Sequence, residues 1–149
     1  MRLIVPVFLV FVSLSAHAQA PLPSSPQQVP AHCQQREARP TALLVAARDE
    51  LKTPRAEFID AVESSNVGSV SKQQMIERIN DVYDNPGLNS DSLWVFRSAR
   101  CVEEFARRKL VSYKPAINAA LLECQTRNPG SISALAQCAA QASDANIIE

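Results

Sequence analysis

Five residues stand out as able to do chemistry: Cys33, Cys101, Cys124, Cys138 and His32. Thiols can bridge one another, bind metal or act as nucleophiles, and spacing decides among these. No C-x-x-C occurs and no Cys/His pair has finger-like spacing, so neither a dithiol redox centre nor a zinc site is expected. A Ser/His/Asp site would have to use His32, directly beside Cys33, and no G-x-S-x-G is present. Asp49, Glu50, Glu57, Asp60 and Glu63 could offer a carboxylate pair, but their spacing is that of ordinary acids on a helix surface. No Gly-rich loop is available to hold phosphate, since Gly68, Gly87 and Gly130 all fall in breaks between helical patterns. The expectation is a protein that is not an enzyme and needs no metal or cofactor.

The chain begins MRLIVPVFLVFVSLSAHAQA, and this stretch gives the cysteines their context. Arg2 is a short basic region, Leu3 to Leu14 is apolar, and Ala16-His17-Ala18 is a small-x-small cleavage site. Cutting after Ala18 is preferred, because cutting after Ala20 would leave Pro21 at the new N-terminus. The expected destination is the periplasm or the exterior, where disulfides persist. Four cysteines then imply two bridges, with three pairings open. Cys33–Cys101 with Cys124–Cys138 is favoured, because Asn128-Pro129-Gly130 would fold a helix pair that brings the last two together. A Cys101–Cys124 bridge across the Ser112–Pro115 break is the rival that spacing leaves open.

Loss of residues 1–18 from 149 leaves 131, with 14 basic residues against 15 acidic ones. A formal charge of −1 is no footprint for nucleic acid or anionic lipid. No later segment is apolar enough to be a transmembrane helix. Residues 19–31 hold four prolines and read as a disordered linker. Residues 32–142 read as one helical domain, and 143–149 as a frayed tail.

The elements that would position these residues are helices of apolar period three to four. The longest runs from Ser90 to Val111, capped by Asn89, Ser90 or Asp91, with Val95, Ala99, Val102 and Ala106 along one stripe. Its charged residues read as a solvated face, with Glu103–Arg107 and Glu104–Arg108 as i,i+4 pairs. Earlier helices carry Leu44, Ala47, Arg48 and Leu51, then Phe58, Ile59 and Val62 after a Thr53-Pro54 start. A third, opened by a Ser71–Gln74 capping box, carries Met75, Ile76, Ile79, Val82 and Tyr83. Pro40 either kinks the first helix or starts its second part. Two more follow Pro115 and Ser131. The fold class is all-α: a bundle of five or six helices tied by two disulfides.

With catalysis set aside, recognition remains. Trp94 and Arg97 sit early in the long helix and are of the types that anchor interfaces, with Tyr113 in the following break as a further candidate. The competing reading packs Trp94 into the core near Tyr83. A signal peptide, the early Cys33, an Ala-rich helix, the I-x-x-V-Y of Ile79 to Tyr83, Asn85-Pro86-Gly87 and a Cys-bearing helix resemble small periplasmic helical proteins of proteobacteria. In size and build the chain also resembles periplasmic immunity proteins that neutralise cell-wall-degrading effectors. The resemblance spans Cys33 to Cys101 and assigns no residue a role. It implies a protein-binding or inhibitory role with a protein partner; a homodimer is a separate expectation. An envelope-maintenance role and a small-molecule carrier are the alternatives. N-terminal sequencing of protein from the envelope fraction is expected to begin at Gln19, and a chain beginning at Met1 would refute the cleavage.

Overall fold

Cysteines and charges from distant parts of the chain meet along two antiparallel helices. The computed structural model describes residues 22–23 and 25–148, and the expected signal peptide lies outside them. A 3-10 turn at Pro26–Gln28 leads into α1 (Val29–Asp49). Then come α2 (Arg55–Ser64), α3 (Ser69–Tyr83) and the central α4 (Ser90–Arg107). A short strand β1 (Ser112–Tyr113), α5 (Ile117–Arg127), α6 (Ile132–Asn146) and β2 (Ile147–Ile148) complete the order. The fold is an all-α bundle of six helices among the described residues, tied by two disulfides. No helix among them is long and apolar enough to cross a membrane.

The central helix α4 packs against α1 on one side and α6 on another. The α2–α3 hairpin covers α1, and α5 pairs with α6. The core gathers Leu44, Phe58, Ile79, Val82, Phe96 and Leu121 from five helices. Both favoured bridges are present: Cys33–Cys101 with Cα atoms 5.6 Å apart, and Cys124–Cys138 with 5.7 Å. These are ordinary disulfide separations. The first sits on an α1–α4 rung, the second closes the α5–α6 hairpin.

Local signals explain most of the boundaries. The Asn89 side chain accepts a bond from the Ser92 N–H at 2.9 Å and caps α4; Ser131 does the same for α6 through the Ala134 N–H at 3.3 Å. The Asn85–Asn89 loop is held from two directions. Arg48 donates to the carbonyls of Val82, Asn85 and Leu88 at 2.7, 2.8 and 2.9 Å. Gln125 accepts from the Asn89 N–H at 2.9 Å and donates to the Gly87 carbonyl at 3.1 Å. A Cβ at Gly87 would lie 3.0 Å from Leu122 Cδ2, so glycine suits this close approach.

Several boundaries differ from expectation. The helix assigned to start at His32 starts at Val29, because Pro30 lies in its first turn, where a missing N–H loses no bond. It passes through Pro40 without ending. Leu51 lies beyond that helix and is exposed. Ser71 lies inside α3, which starts at Ser69, and no capping box forms there. The central helix ends at Arg107 rather than Val111, where Arg108 turns left-handed at φ 54°. The tail is not frayed through 148: α6 continues to Asn146, and Ile147–Ile148 pairs antiparallel with Ser112–Tyr113. Ile147 is buried there, so an apolar residue anchors the end of the domain.

Loop closure sets the expected worth of the two bridges. The Cys33–Cys101 bridge closes a separation of 68 residues and the Cys124–Cys138 bridge one of 14. On chain entropy alone they should contribute about 4 and about 3 kcal/mol respectively. Urea unfolding of the Cys33→Ser/Cys101→Ser and Cys124→Ser/Cys138→Ser variants is expected to reproduce that order. An unchanged midpoint in the first variant would show that the long bridge is not structural.

Candidate functional site

One turn along from Cys33 on α1 is Glu37, and one turn back from Cys101 on α4 is Arg97. Antiparallel packing makes these the next rung, so a charged pair lies beside the covalent one. Glu37 is fully buried and Arg97 is 1 % exposed. Three guanidiniums converge on the Glu37 carboxylate. Arg36 Nε donates to Oε1 at 2.9 Å, Arg78 donates through Nε and Nη2 at 2.8 and 3.0 Å, and Arg97 Nε reaches Oε2 at 3.3 Å. Arg97 Nη1 also pairs with Asp81 Oδ2.

The network continues along α3 and α4. Arg100 grips Asp81 with Nη1 at 3.0 Å to each oxygen, Glu77 at 2.9 Å, Glu104 at 3.1 Å and the Val111 carbonyl at 2.7 Å. Helical spacing accounts for the arrangement. Glu77 and Asp81 stand four apart on α3, Arg97 and Arg100 three apart on α4, so each set shares a face. The four arginines Arg36, Arg78, Arg97 and Arg100 are matched by Glu37, Glu77, Asp81 and Glu104.

These surroundings set the protonation states. Burial alone would raise the Glu37 pKa, but attraction from Arg97 and Arg78 outweighs it and holds the group far below the usual carboxylate range. Arg97 stays charged, because Glu37 and Asp81 outweigh its own desolvation. Burial pushes Glu77 up, against the pull of Arg100. Burial likewise pushes Tyr113 up.

The sequence-derived binding residues turn inward. Arg97 and Arg100 are not on a solvated face, because α3 places two acids opposite them. Arg97 is therefore unavailable to a partner. Tyr113 is half-buried rather than displayed: its ring packs on Phe96 with centroids 5.3 Å apart, and Arg100 lies 5.6 Å from its centre. Glu104 pairs with Arg100, not with Arg108. Trp94 is half-buried; its Nε1 donates to the Gln34 carbonyl at 2.9 Å, and its ring packs against the core from the rim. The four cysteines are bridged, with no free thiol among the described residues. His32 packs edge-on against Phe105 at 5.5 Å. No group of three His, Cys, Asp or Glu among the described residues could hold a metal ion.

Trp94 does line open space. A groove of about 160 Å³ runs between the start of α1, α4 and α6. Ala99, Ala136 and Ala140 keep it shallow, Ile132 stands exposed at its edge, and Ser98 lines it. The Ser98 Oγ is buried without a hydrogen-bond partner among the described residues. Sequence reasoning missed the Glu37 network because two of its three partners, Arg78 and Arg97, lie 41 and 60 residues away. The one legible signal was the equal four-residue step from each cysteine to an opposite charge. Compared with known proteins, the chain matches no family model, no curated protein and no solved structure.

A carboxyl with a depressed folded pKa stabilises the fold above its unfolded value, near 4.3, and that stabilisation is lost as pH falls through the folded value. Glu37 acts in this sense. Glu77, with a raised pKa, acts oppositely and favours the fold more once protonated. Glu37→Gln is expected to lower stability by about 3–5 kcal/mol at pH 7, because it leaves buried arginines short of a counter-charge. The difference from the parent should narrow below about pH 4, read from urea midpoints at pH 7 and pH 3. A gap independent of pH would contradict the assigned ionisation.

Proposed function

We propose that this chain is a periplasmic or secreted protein-binding protein, inhibitory rather than catalytic, of the kind that neutralises a cell-wall-degrading effector. The observation that carries the reading is the groove beside Trp94. It combines an indole wall with a floor of alanines that lets a partner backbone come close. A partner segment lying there would cover Ile132 and pack against the Trp94 ring. Aromatic walls of this kind supply large contact area at low entropic cost.

The frame around the groove supports the same reading. Gln34 follows Cys33, Val102 follows Cys101, and Ala136 lies two residues before Cys138. Each wall is thus next to a disulfide, and a groove held in shape before binding loses less freedom when a partner arrives. The bridges themselves fit an oxidising compartment.

Mature protein immobilised in periplasmic extract is the test, with Ala136→Arg and Ile132→Glu as groove variants. The expected outcome is one protein captured by the parent, with capture reduced at least about tenfold by either variant, the change that removal of a central contact brings. Ile132 is exposed, so the Ile132→Glu melting temperature should match the parent; Ala136 also touches the core, so loss of capture by Ala136→Arg counts only where its melting temperature is retained. Capture that survives both variants would place the interface elsewhere, and absence of any captured protein would count against the reading as a whole.

A further inference from the structure

Among the guanidiniums of the network, Arg78 has the fewest acids. Arg36 meets Glu37 and Glu104, Arg97 meets Glu37 and Asp81, and Arg100 meets Asp81, Glu77 and Glu104. Arg78 meets only Glu37 among the described residues, through Nε and Nη2. Its Nη1 has no acceptor there. Glu37 is meanwhile shared with Arg36 and Arg97, so it offsets only part of the Arg78 charge.

Arg78 is also the arginine that borders open space. A cleft of about 130 Å³ lies between α1, α2 and α3. Leu44, Val62 and Ile79 form its buried floor, and Leu43, Met75 and Arg78 its half-buried margin. Arg78 is the sole charged residue of that lining. Apolar cavities of about 150 Å³ take up molecules the size of benzene, so this one suits a chain of about five carbons. Met75 is unbranched and can adjust its shape to such a chain.

The geometry points to this cleft as a binding site for a small amphipathic anion, with a short alkyl chain over Leu44, Val62 and Ile79 and a carboxylate on Arg78. The carboxylate would receive a charge-assisted hydrogen bond from Nη1 and give Arg78 the second acid that its neighbours already have. Other charges nearby do not compete for it. Glu77 and Asp81 are engaged with Arg97 and Arg100, and Lys72 donates to the Glu63 carbonyl. A neutral chain of equal length gains the apolar contact alone, and a cationic head is repelled. This site lies on different helices from the Trp94 groove and does not depend on a protein partner.

Hexanoate is the probe, titrated into the mature protein while methyl carbon–proton spectra are followed, with hexanol and hexylammonium as controls. Saturable shifts are expected at Leu43, Leu44, Val62 and Ile79, with hexanoate at least about tenfold tighter than hexanol, as one charge-assisted bond supplies. Hexylammonium should give no saturable shift. Arg78→Met should bring hexanoate down to the affinity of hexanol, and Arg78→Lys should restore part of the difference. Leu43→Trp, which fills the cleft margin and leaves the ion pairs intact, should abolish binding of both. Should Arg78→Met fail to fold, Leu43→Trp and the hexanoate-to-hexanol ratio decide alone. Equal affinity for the two probes, shifts that miss the cleft methyls, or unchanged binding by Leu43→Trp would each overturn the proposal.

Discussion

The fold depends on how one buried carboxylate is accommodated. Taking Glu37 wholly out of water would be prohibitive for an isolated ion. Three guanidiniums make it tolerable: Arg36 is its neighbour in sequence, and Arg78 and Arg97 come from two other helices that only the folded state brings to it. Arginine suits the task because its planar fork can meet both oxygens at once, as Arg78 does. Once Arg97 is drawn inside to serve Glu37, Asp81 must follow to balance it, and Arg100 follows Asp81. The network is thus a chain of obligations, each buried charge requiring the next.

Those obligations bear on helix register. Apolar stripes on α1 and α4 would still find contacts if one helix slid a turn past the other. Glu37 would lose a partner, since a one-turn shift carries it past Arg97 and leaves it only Arg36 and Arg78, with Arg97 left to Asp81 alone. The Cys33–Cys101 bridge one turn away imposes the same alignment covalently. At the other end of α4, Arg48 and Gln125 bind the backbone of the Asn85–Asn89 loop, so the central helix begins at a fixed point as well.

This use of charge reshapes the question of recognition. Arg97, Arg100 and Tyr113 are drawn into the interior, and the two openings beside Trp94 and Arg78 are lined mostly by apolar residues. The Trp94 groove is made of small residues on α4 and α6, where helices approach closely. The Arg78 cleft lies at the network's edge, where α2 and α3 part from α1. Both openings adjoin rigid elements, one next to the bridges and the other next to the ion pairs.

Local features were legible in the sequence because they obey short-range rules. Helical period, the Asn89 and Ser131 caps and the breaks at Gly87 and Gly130 depend on residues within a turn or two of each other. The favoured disulfide pairing was legible too, since a turn between Cys124 and Cys138 leaves Cys33 for Cys101. Which face of a helix is interior was not. Ala99, Val102 and Ala106 satisfied the apolar stripe on α4, yet Phe96, Arg97 and Arg100 are the more buried set. An arginine reads as solvent-facing until a carboxylate from another helix stands opposite it, and Asp81 and Glu37 lie sixteen and sixty residues from Arg97. The tail shows the same limit, because the strand that pairs with Ile147 lies more than thirty residues earlier, at Ser112–Tyr113. By itself the sequence determined the helices and the Asn89 and Ser131 caps, and it favoured the two covalent ties without excluding their rival. Tertiary structure alone decided which charges are buried, because the free energy of a buried charge is set by partners that chain order does not reveal.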